Sequence, residues 1–236
     1  MMPRLSIVIP TRRLGDDLRA RLPSIAKAFP QAEVFIVEPD DLETDPASPA
    51  LPAGVSRLRG PRGRGTQINR GVLAATGELL MLLHDDTDLP PGAASAIESA
   101  FADPRIAMTC FRLRFDRPHW LLATYGWFSG FDSVWTTFGD QAMVVRRSVL
   151  DAVGGLPDWP LYEDVELARR VRRVGRISKL LLAVTTSSVR YQTNGIVRQQ
   201  LANGLAITRF LLGASPWRLA AEYEGCRPAP PAGGSK

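Results

Sequence analysis

The chain has 236 residues, 45% of them hydrophobic and 22% charged, with a formal net charge of +5 and a pI near 9.7; this length suits one large α/β domain and this balance excludes a disordered chain. The basic residues are scattered over the chain and form no block, which argues against nucleic-acid binding. Two distant cysteines, Cys110 and Cys226, exclude a disulfide framework or a zinc site, and no apolar run approaches a membrane span or a signal-peptide core, so a cytoplasmic protein is expected.

"LSIVI", Leu5 to Ile9, is rich in β-branched residues and is stopped by Pro10, and Leu18 to Phe29 repeats apolar residues at helical spacing. "EVFIV", Glu33 to Val37, reads as a second buried strand. The stretch "EPDDLETDPASPALPAG" reads as loop, and a third strand is expected near Val55 to Leu58. In "GPRGRGTQINRGVLAATGELLMLL", Thr66 can cap a helix that carries Ile68, Val72 and Ala75 on one face and ends at Gly77. Leu79 starts a short, wholly apolar strand of the kind buried on both faces of a parallel sheet. It gives way to Asp85, Asp86 and Asp88, at the carboxyl edge where open α/β sheets bind ligands.

Ala93 to Phe101 reads as a helix, and "IAMTCFRLRF" as a half-exposed strand with Arg112 and Arg114 on one face. His119 to Phe138 is crowded with aromatic residues. "QAMVVRR" is strand-like, "SVLDAVGG" a short helix closed by glycine, "VELARRVRRVG" an amphipathic helix and "KLLLAVTTSSV" a strand. A helix from about Ile196 to Leu212 follows, and the tail "GCRPAPPAGGSK" is expected to be disordered. The expected organisation is one domain over residues 1–224, helical from about 196, with a tail over 225–236. Alternating strands and helices argue for a mostly parallel sheet with right-handed crossovers. The aromatic segment and the closing helix have two readings, contact with lipid or core and lid, of which burial against the domain is favoured.

Asp86 and Asp88 are two apart, so in extended backbone both carboxylates point to one side and can hold one hard divalent cation, Mg2+ or Mn2+. Solvated loop acids are the plain alternative. Glu163 and Asp164 stand before a helix, where acids cap it and favour its dipole, and where a carboxylate can also act as a general base. In "PRGRGTQIN", Gly63 and Gly65 let backbone approach a ligand, Arg62 and Arg64 flank them, and a helix start adjoins them; an anion site and an ordinary turn are both open. The spacing is neither that of a P-loop nor that of a dinucleotide fingerprint. His84 reads as hydrogen-bonded packing in preference to a metal ligand. No serine elbow, Cys/His pair or HExxH occurs, so hydrolase and metalloprotease chemistry has no support.

Taken in order, "SIVIPT", "PRGRGTQIN", "ATGELLMLLHDDTDLPPG", "FGDQAMVVRRSVLDAVGGLPDWPLYEDVELARRVRRVG" and "VTTSSVR" resemble family 2 glycosyltransferases, and more closely their small bacterial arsenosugar-biosynthesis-type branch. The resemblance runs from about Leu5 to Tyr223. It implies a GT-A fold, a Rossmann-like, mostly parallel central sheet flanked by helices, here with a C-terminal helical extension. It implies a nucleoside-diphosphate sugar donor held by Pro10, Thr11, Glu38, Arg62, Arg64, Gln67, Asn69, Asp85 and Asp86, and a divalent metal (Mn2+ or Mg2+) on Asp86 joined by Asp88. It makes Asp164 the base of an inverting transfer, with Glu163 beside it and Asp140 near the acceptor or donor sugar. Departures fall on the nucleotide pocket. Arg12 and Arg13 follow Thr11 where the family usually has Asn-Glu, and "VEPDDLETD" replaces "VDGGSTDG", leaving Glu38 in the aspartate's place. A non-catalytic nucleotide-binding or scaffold member is the alternative. Neither acceptor nor oligomeric state is implied, and peripheral contact with the inner membrane face stays open.

Overall fold

The computed structural model describes residues 3–42 and 50–224. The first half of the chain alternates as expected: β1 (Leu5–Pro10), α1 (Asp16–Ala28), β2 (Glu33–Pro39), β3 (Val55–Gly60), α2 (Arg64–Ala74), β4 (Leu79–Leu82), the short β5 (Thr87–Asp88) and α3 (Ala93–Phe101). The second half runs β6 (Ile106–Phe115), α4 (Trp120–Phe128), a 3-10 turn over Gly139–Gln141, β7 (Met143–Arg146), α5 (Arg147–Ala152), α6 (Glu163–Val171) and β8 (Arg176–Thr186). It closes with α7 (Val189–Asn194), α8 (Ile196–Leu211) and α9 (Pro216–Glu224).

The strands form one sheet in the order β3-β2-β1-β4-β7-β6-β8-β5. β3, β2, β1 and β4 pair in parallel, as do β6 and β8, whereas β7 enters antiparallel to both its neighbours and β5 lies antiparallel on β8. β1 and β4 are buried along their whole length because helices cover both faces. Ile7, Ile9, Leu79 and Met81 pack with Leu18, Leu22 and Ile25 of α1 and Ile97 of α3. Val8, Leu80 and Leu82 point the other way, toward Ile68 of α2, Leu150 of α5 and Leu167 of α6. Side-chain alternation along each strand therefore divides the core into two layers and leaves the strand ends to carry the site.

Several expectations are corrected. Gly63, not Thr66, is the residue before α2, and the Thr66 hydroxyl instead donates to the Gly63 carbonyl at 2.7 Å. α2 stops at Ala74, and Gly77 lies against β1, where a Cβ would come within 2.6 Å of the Ser6 nitrogen. β6 is buried, not half-exposed, from Ile106 to Phe111, since helices cover it too. Its register shifts between Cys110 and Arg112, so Arg112 is drawn partly inward while Arg114 stays exposed. Part of the aromatic segment is helical, as α4. The acid-rich loop over 43–49 and the tail over 225–236 lie outside the described residues. Among the described residues no helix is long and apolar enough to cross a membrane.

Candidate active site

β1 and β4 are adjacent and parallel, so their carboxyl ends deliver Thr11 and the 84–88 segment to one place. The Thr11 hydroxyl donates to Asp85 Oδ2 at 2.5 Å, tying the two ends together. The Thr87 N–H donates to the His84 carbonyl at 3.3 Å and closes a turn over Asp85 and Asp86. Asp85 and Asp86 lie in that turn and only Thr87–Asp88 is extended, so the premise that Asp86 and Asp88 share one extended stretch does not hold. Asp88 is exposed and bonds Arg21 Nε of α1 at 2.8 Å. Asp86 is half-buried, and burial, with Asp85 beside it, raises its carboxyl above the ordinary aspartate range.

β7 brings the second group of acids. Its antiparallel pairing with β4 sets the turn before it, Gly139–Gln141, against the β4 end, and α6 delivers Glu163 and Asp164 to the same place. The Gly139 N–H donates to Asp164 Oδ2 at 2.5 Å, and the Val165 N–H donates to Asp164 Oδ1 at 2.8 Å. The contact around Gly139 is tight: a Cβ there would lie 2.9 Å from both Asp164 Oδ2 and His84 Nε2. Glycine is what lets these side chains close on the turn. Arg64, at the start of α2, bonds Glu163 through Nε and through Nη2, the latter at 3.2 Å, and stands 3.5 Å from Asp164 Oδ1. Burial opposes its charge, but Glu163 and Asp164 outweigh burial and hold the guanidinium above its usual pKa.

Burial pushes the Asp140 carboxyl up to about 7, with Asp164 and then Asp86 repelling it in the same direction. Its Oδ1 is buried without a hydrogen-bond partner among the described residues. Burial likewise pushes Glu163 up to about 7 against the pull of Arg64. Asp140 thus feels the charge of both Asp164 and Asp86, and carboxyls raised in this way are a recurrent feature of functional sites. Two non-glycine residues with positive φ among those described, Ala142 at 47° and Tyr162 at 64°, flank the two acid-bearing segments. Strained backbone of this kind persists where its surroundings enforce it, commonly at functional sites. Here Tyr162 is buried and stacks on Phe210 of α8, with ring centroids 4.8 Å apart.

The other expected binding residues turn mostly inward. Gln67 donates to the Thr11 and Val37 carbonyls, both at 2.7 Å, and so clamps the ends of β1 and β2. Asn69 donates to the Leu156 carbonyl and to Asp158, and Gly65 meets the 157–159 chain, where a Cβ would lie 2.4 Å from the Pro157 carbonyl oxygen. Glu38 is fully buried, accepting from the Leu14 N–H at 2.7 Å and from Arg57 Nε. Pro10 ends β1 beside Val37. Arg62 lies at the surface in a two-point bond to Asp41. The sequence did not suggest Gly139 as the pivot of the site or Arg64 as the partner of the acid pair. A glycine directly before an acid in "FGDQ" was the available signal for the first.

Among the described residues no three His, Cys, Asp or Glu side chains are grouped to hold a metal ion by themselves. The site fits a divalent ion in another way. Asp86 offers a hard oxygen in a zone of mutual carboxylate repulsion, the Asp140 oxygen is unsatisfied, and Mg2+ or Mn2+ bound by one or two carboxylates completes its shell with water and substrate phosphates.

The model of the family described as "Glycosyltransferase like family 2" matches residues 3–204. No curated protein matches. The mannosyltransferase PcManGT from Pyrobaculum calidifontis, solved with GDP-Man and Mn2+, aligns at a TM-score of 0.66 and 16% identity over 95% of this chain and 69% of that one. S. aureus TarS 1-349 with UDP-GlcNAc aligns at 0.60 and 16% identity, over 78% of this chain and 58% of that one. At such identity these likenesses establish a common GT-A fold, in which the central sheet is mostly parallel and flanked by helices.

Proposed function

The chain belongs to glycosyltransferase-like family 2, and on that premise we propose that it moves a sugar from a nucleoside-diphosphate sugar to an acceptor hydroxyl, with inversion and with a divalent cation. The observation that carries the reading is that Asp140, buried with an unpartnered oxygen, lies within reach of the charge of both Asp164, beside it in the second half of the sheet, and Asp86, from the end of β4. Asp86 would hold the cation, Mn2+ or Mg2+, which would supply positive charge against the leaving diphosphate. Asp164 accepts the acceptor hydroxyl's proton as its oxygen attacks the anomeric carbon in line with the departing diphosphate. Gly139 and Arg64 fix its orientation, and Glu163 holds Arg64 in place. Asp140 borders the space between the two groups of acids and faces the sugar. Thr11 and Asp85 form the floor beneath the diphosphate, and Gln67 and Glu38 shape the nucleotide pocket from behind the strand ends. The arsenosugar-type branch is supported by the ordered motif series and is proposed at that level.

Thermal shift with UDP-, GDP-, dTDP- and ADP-sugars, each with Mn2+ or Mg2+, tests donor and metal together. A metal-dependent rise in Tm with one donor is expected, lost in Asp86→Ala. Asp164→Asn is expected to keep that rise and lose transfer. Transfer that survives Asp164→Asn removes the base assignment, and nucleotide binding without turnover by any donor favours the scaffold alternative.

A further inference from the structure

α4, α7 and α8 form one layer at the end of β6. Phe115 at the tip of β6 contacts Tyr125 of α4 and Tyr191 of α7, with ring centroids 6.0 and 5.4 Å apart, and α8 packs against both helices. The inward side of this layer is accounted for, since α8 buries Gln199, Ile207 and Phe210. The outward side is not. Val197, Leu201 and Leu205 recur every fourth residue on the opposite face of α8, which at 3.6 residues per turn is one continuous stripe, and they are 59%, 70% and 62% exposed. On and just after α4, which α8 contacts, Trp127 packs edge-on against Phe128 and Phe131, both at 4.9 Å, and all three rings are about half-exposed or more, as are Trp120 and Trp135. Of the favoured expectation, core and lid, the burial is seen for one face of α8 only.

Charge says what covers the other face. The basic residues are scattered, but the acids are not. Over the stretches that form the layer, 117–131 and 187–212, the chain carries Arg117, Arg190, Arg198 and Arg209 and no acid, and of these Arg209 is paired with Glu222 of α9. Arg117 and Arg198 are exposed within these stretches. A neutral apolar partner would not call for such one-sided charge. Tryptophan prefers the boundary between headgroups and acyl chains, and basic residues beside an apolar helix face are drawn to anionic lipid. We propose that the layer of α4, α7 and α8 is a peripheral membrane-docking face selective for anionic bilayers, with the aromatic rings and the Val197–Leu201–Leu205 stripe seated at the headgroup boundary. The proposal goes beyond the transfer reading and needs no donor or acceptor to hold.

The test is co-sedimentation of the full chain with vesicles of phosphatidylcholine alone and with vesicles carrying about 30% phosphatidylglycerol. Binding is expected to the anionic vesicles and to weaken with salt. The triple variant Trp127→Ser, Leu201→Gln, Leu205→Gln is expected to bind about tenfold less or weaker still, with its melting temperature unchanged. Equal binding to both vesicle types, no binding to either, or a folded triple variant that binds like the wild type overturns the proposal. So does a concentration-dependent dimer abolished by the same three changes without vesicle binding, which would assign the face to a second copy. If the triple variant unfolds early, quenching of wild-type tryptophan fluorescence by brominated acyl chains decides: quenching supports the docking face, and its absence overturns it. Since none of these readouts uses a nucleotide sugar, they fail or succeed independently of the donor panel above.

Discussion

Asp140 has the least comfortable position of the residues at the site, buried on one oxygen, unpartnered, and facing Asp164 and Asp86. An ordinary aspartate titrates near 3.8, and this one is pushed up to about 7. Between those values the folded chain keeps a proton that the unfolded chain has released. Its contribution to stability is therefore fully present below the lower value and is lost as the pH rises through the upper one. Asp140→Asn removes the dependence without changing the shape of the side chain. In chelator, the melting temperature of the variant relative to the wild type is expected to be near equal at about pH 4, to climb as the pH rises toward about 7, and to level off beyond it. A difference that stays constant across that range would mean the carboxyl is an ordinary one. Gly139 tests the same place sterically. A Cβ 2.9 Å from both Asp164 Oδ2 and His84 Nε2 must displace one of them, so Gly139→Ala is expected to lower kcat for transfer by roughly a hundredfold, since small misplacements of a reacting group are that costly. Nucleotide-dependent thermal shift should persist, because the Thr11–Asp85 floor is untouched; loss of both together would point to a folding defect.

The helices that position the acids draw on packing at a distance from them. Phe210 of α8 stacks on Tyr162 and packs with Trp159, so the last long helix holds the backbone in its positive-φ turn immediately before Glu163. Phe210→Ala is expected to cost about 3 kcal/mol in chemical denaturation, the usual scale for a buried ring, and to slow transfer further through Glu163 and Asp164. Leu205→Gln, on the opposite face of the same helix, should change stability by less than about 0.5 kcal/mol. α2 makes a similar contrast. Gly65→Ala drives a Cβ into the Pro157 carbonyl and is expected to cost about 1–3 kcal/mol by overpacking, whereas Gly15, at the start of α1, has no atom within 4 Å of such a Cβ and should accept alanine almost without effect. These elements also show what the sequence could convey. β1, β4 and the acids after β4 were legible because, in a chain of this composition, an unbroken apolar run ending in carboxylates fits little besides a buried strand that opens onto a polar edge. The antiparallel insertion of β7 was not legible, since a four-residue apolar strand carries no mark of its direction. Nor were the true partners of Gln67, Asn69 and Gly65, which are main-chain atoms distant in sequence: a pattern in one stretch reports its own periodicity and not the surface it meets. Thr66 misled for a local reason, its hydroxyl turning back to a carbonyl where glycine already starts the helix.

Across the whole molecule the sheet has two halves of different construction, a parallel set from β3 to β4 and a mixed set from β7 to β5, and the site lies along the seam where β4 meets β7. Asp86 belongs to the first half, whereas Asp140 and Asp164 reach the seam from the second. In the unliganded chain Asp140 and Asp86 repel one another across this seam, and a cation with a diphosphate would replace that repulsion with attraction between the halves. A donor held only by the first half would order the 84–88 turn and leave the rest of the seam alone. A donor that joins the halves should slow backbone hydrogen exchange at 85–87 and also at 139–141 and 163–165, since the Gly139 and Val165 amides are bonded to the carboxylate that the guest fixes. Hydrogen exchange with the best donor and its metal, compared with chelator, is expected to show both patches protected together, and Asp86→Ala is expected to abolish both. Protection confined to 85–87 would mean that the acids of the two halves work separately, and the assignment of Asp164 as base to a donor on Asp86 would then have to be withdrawn.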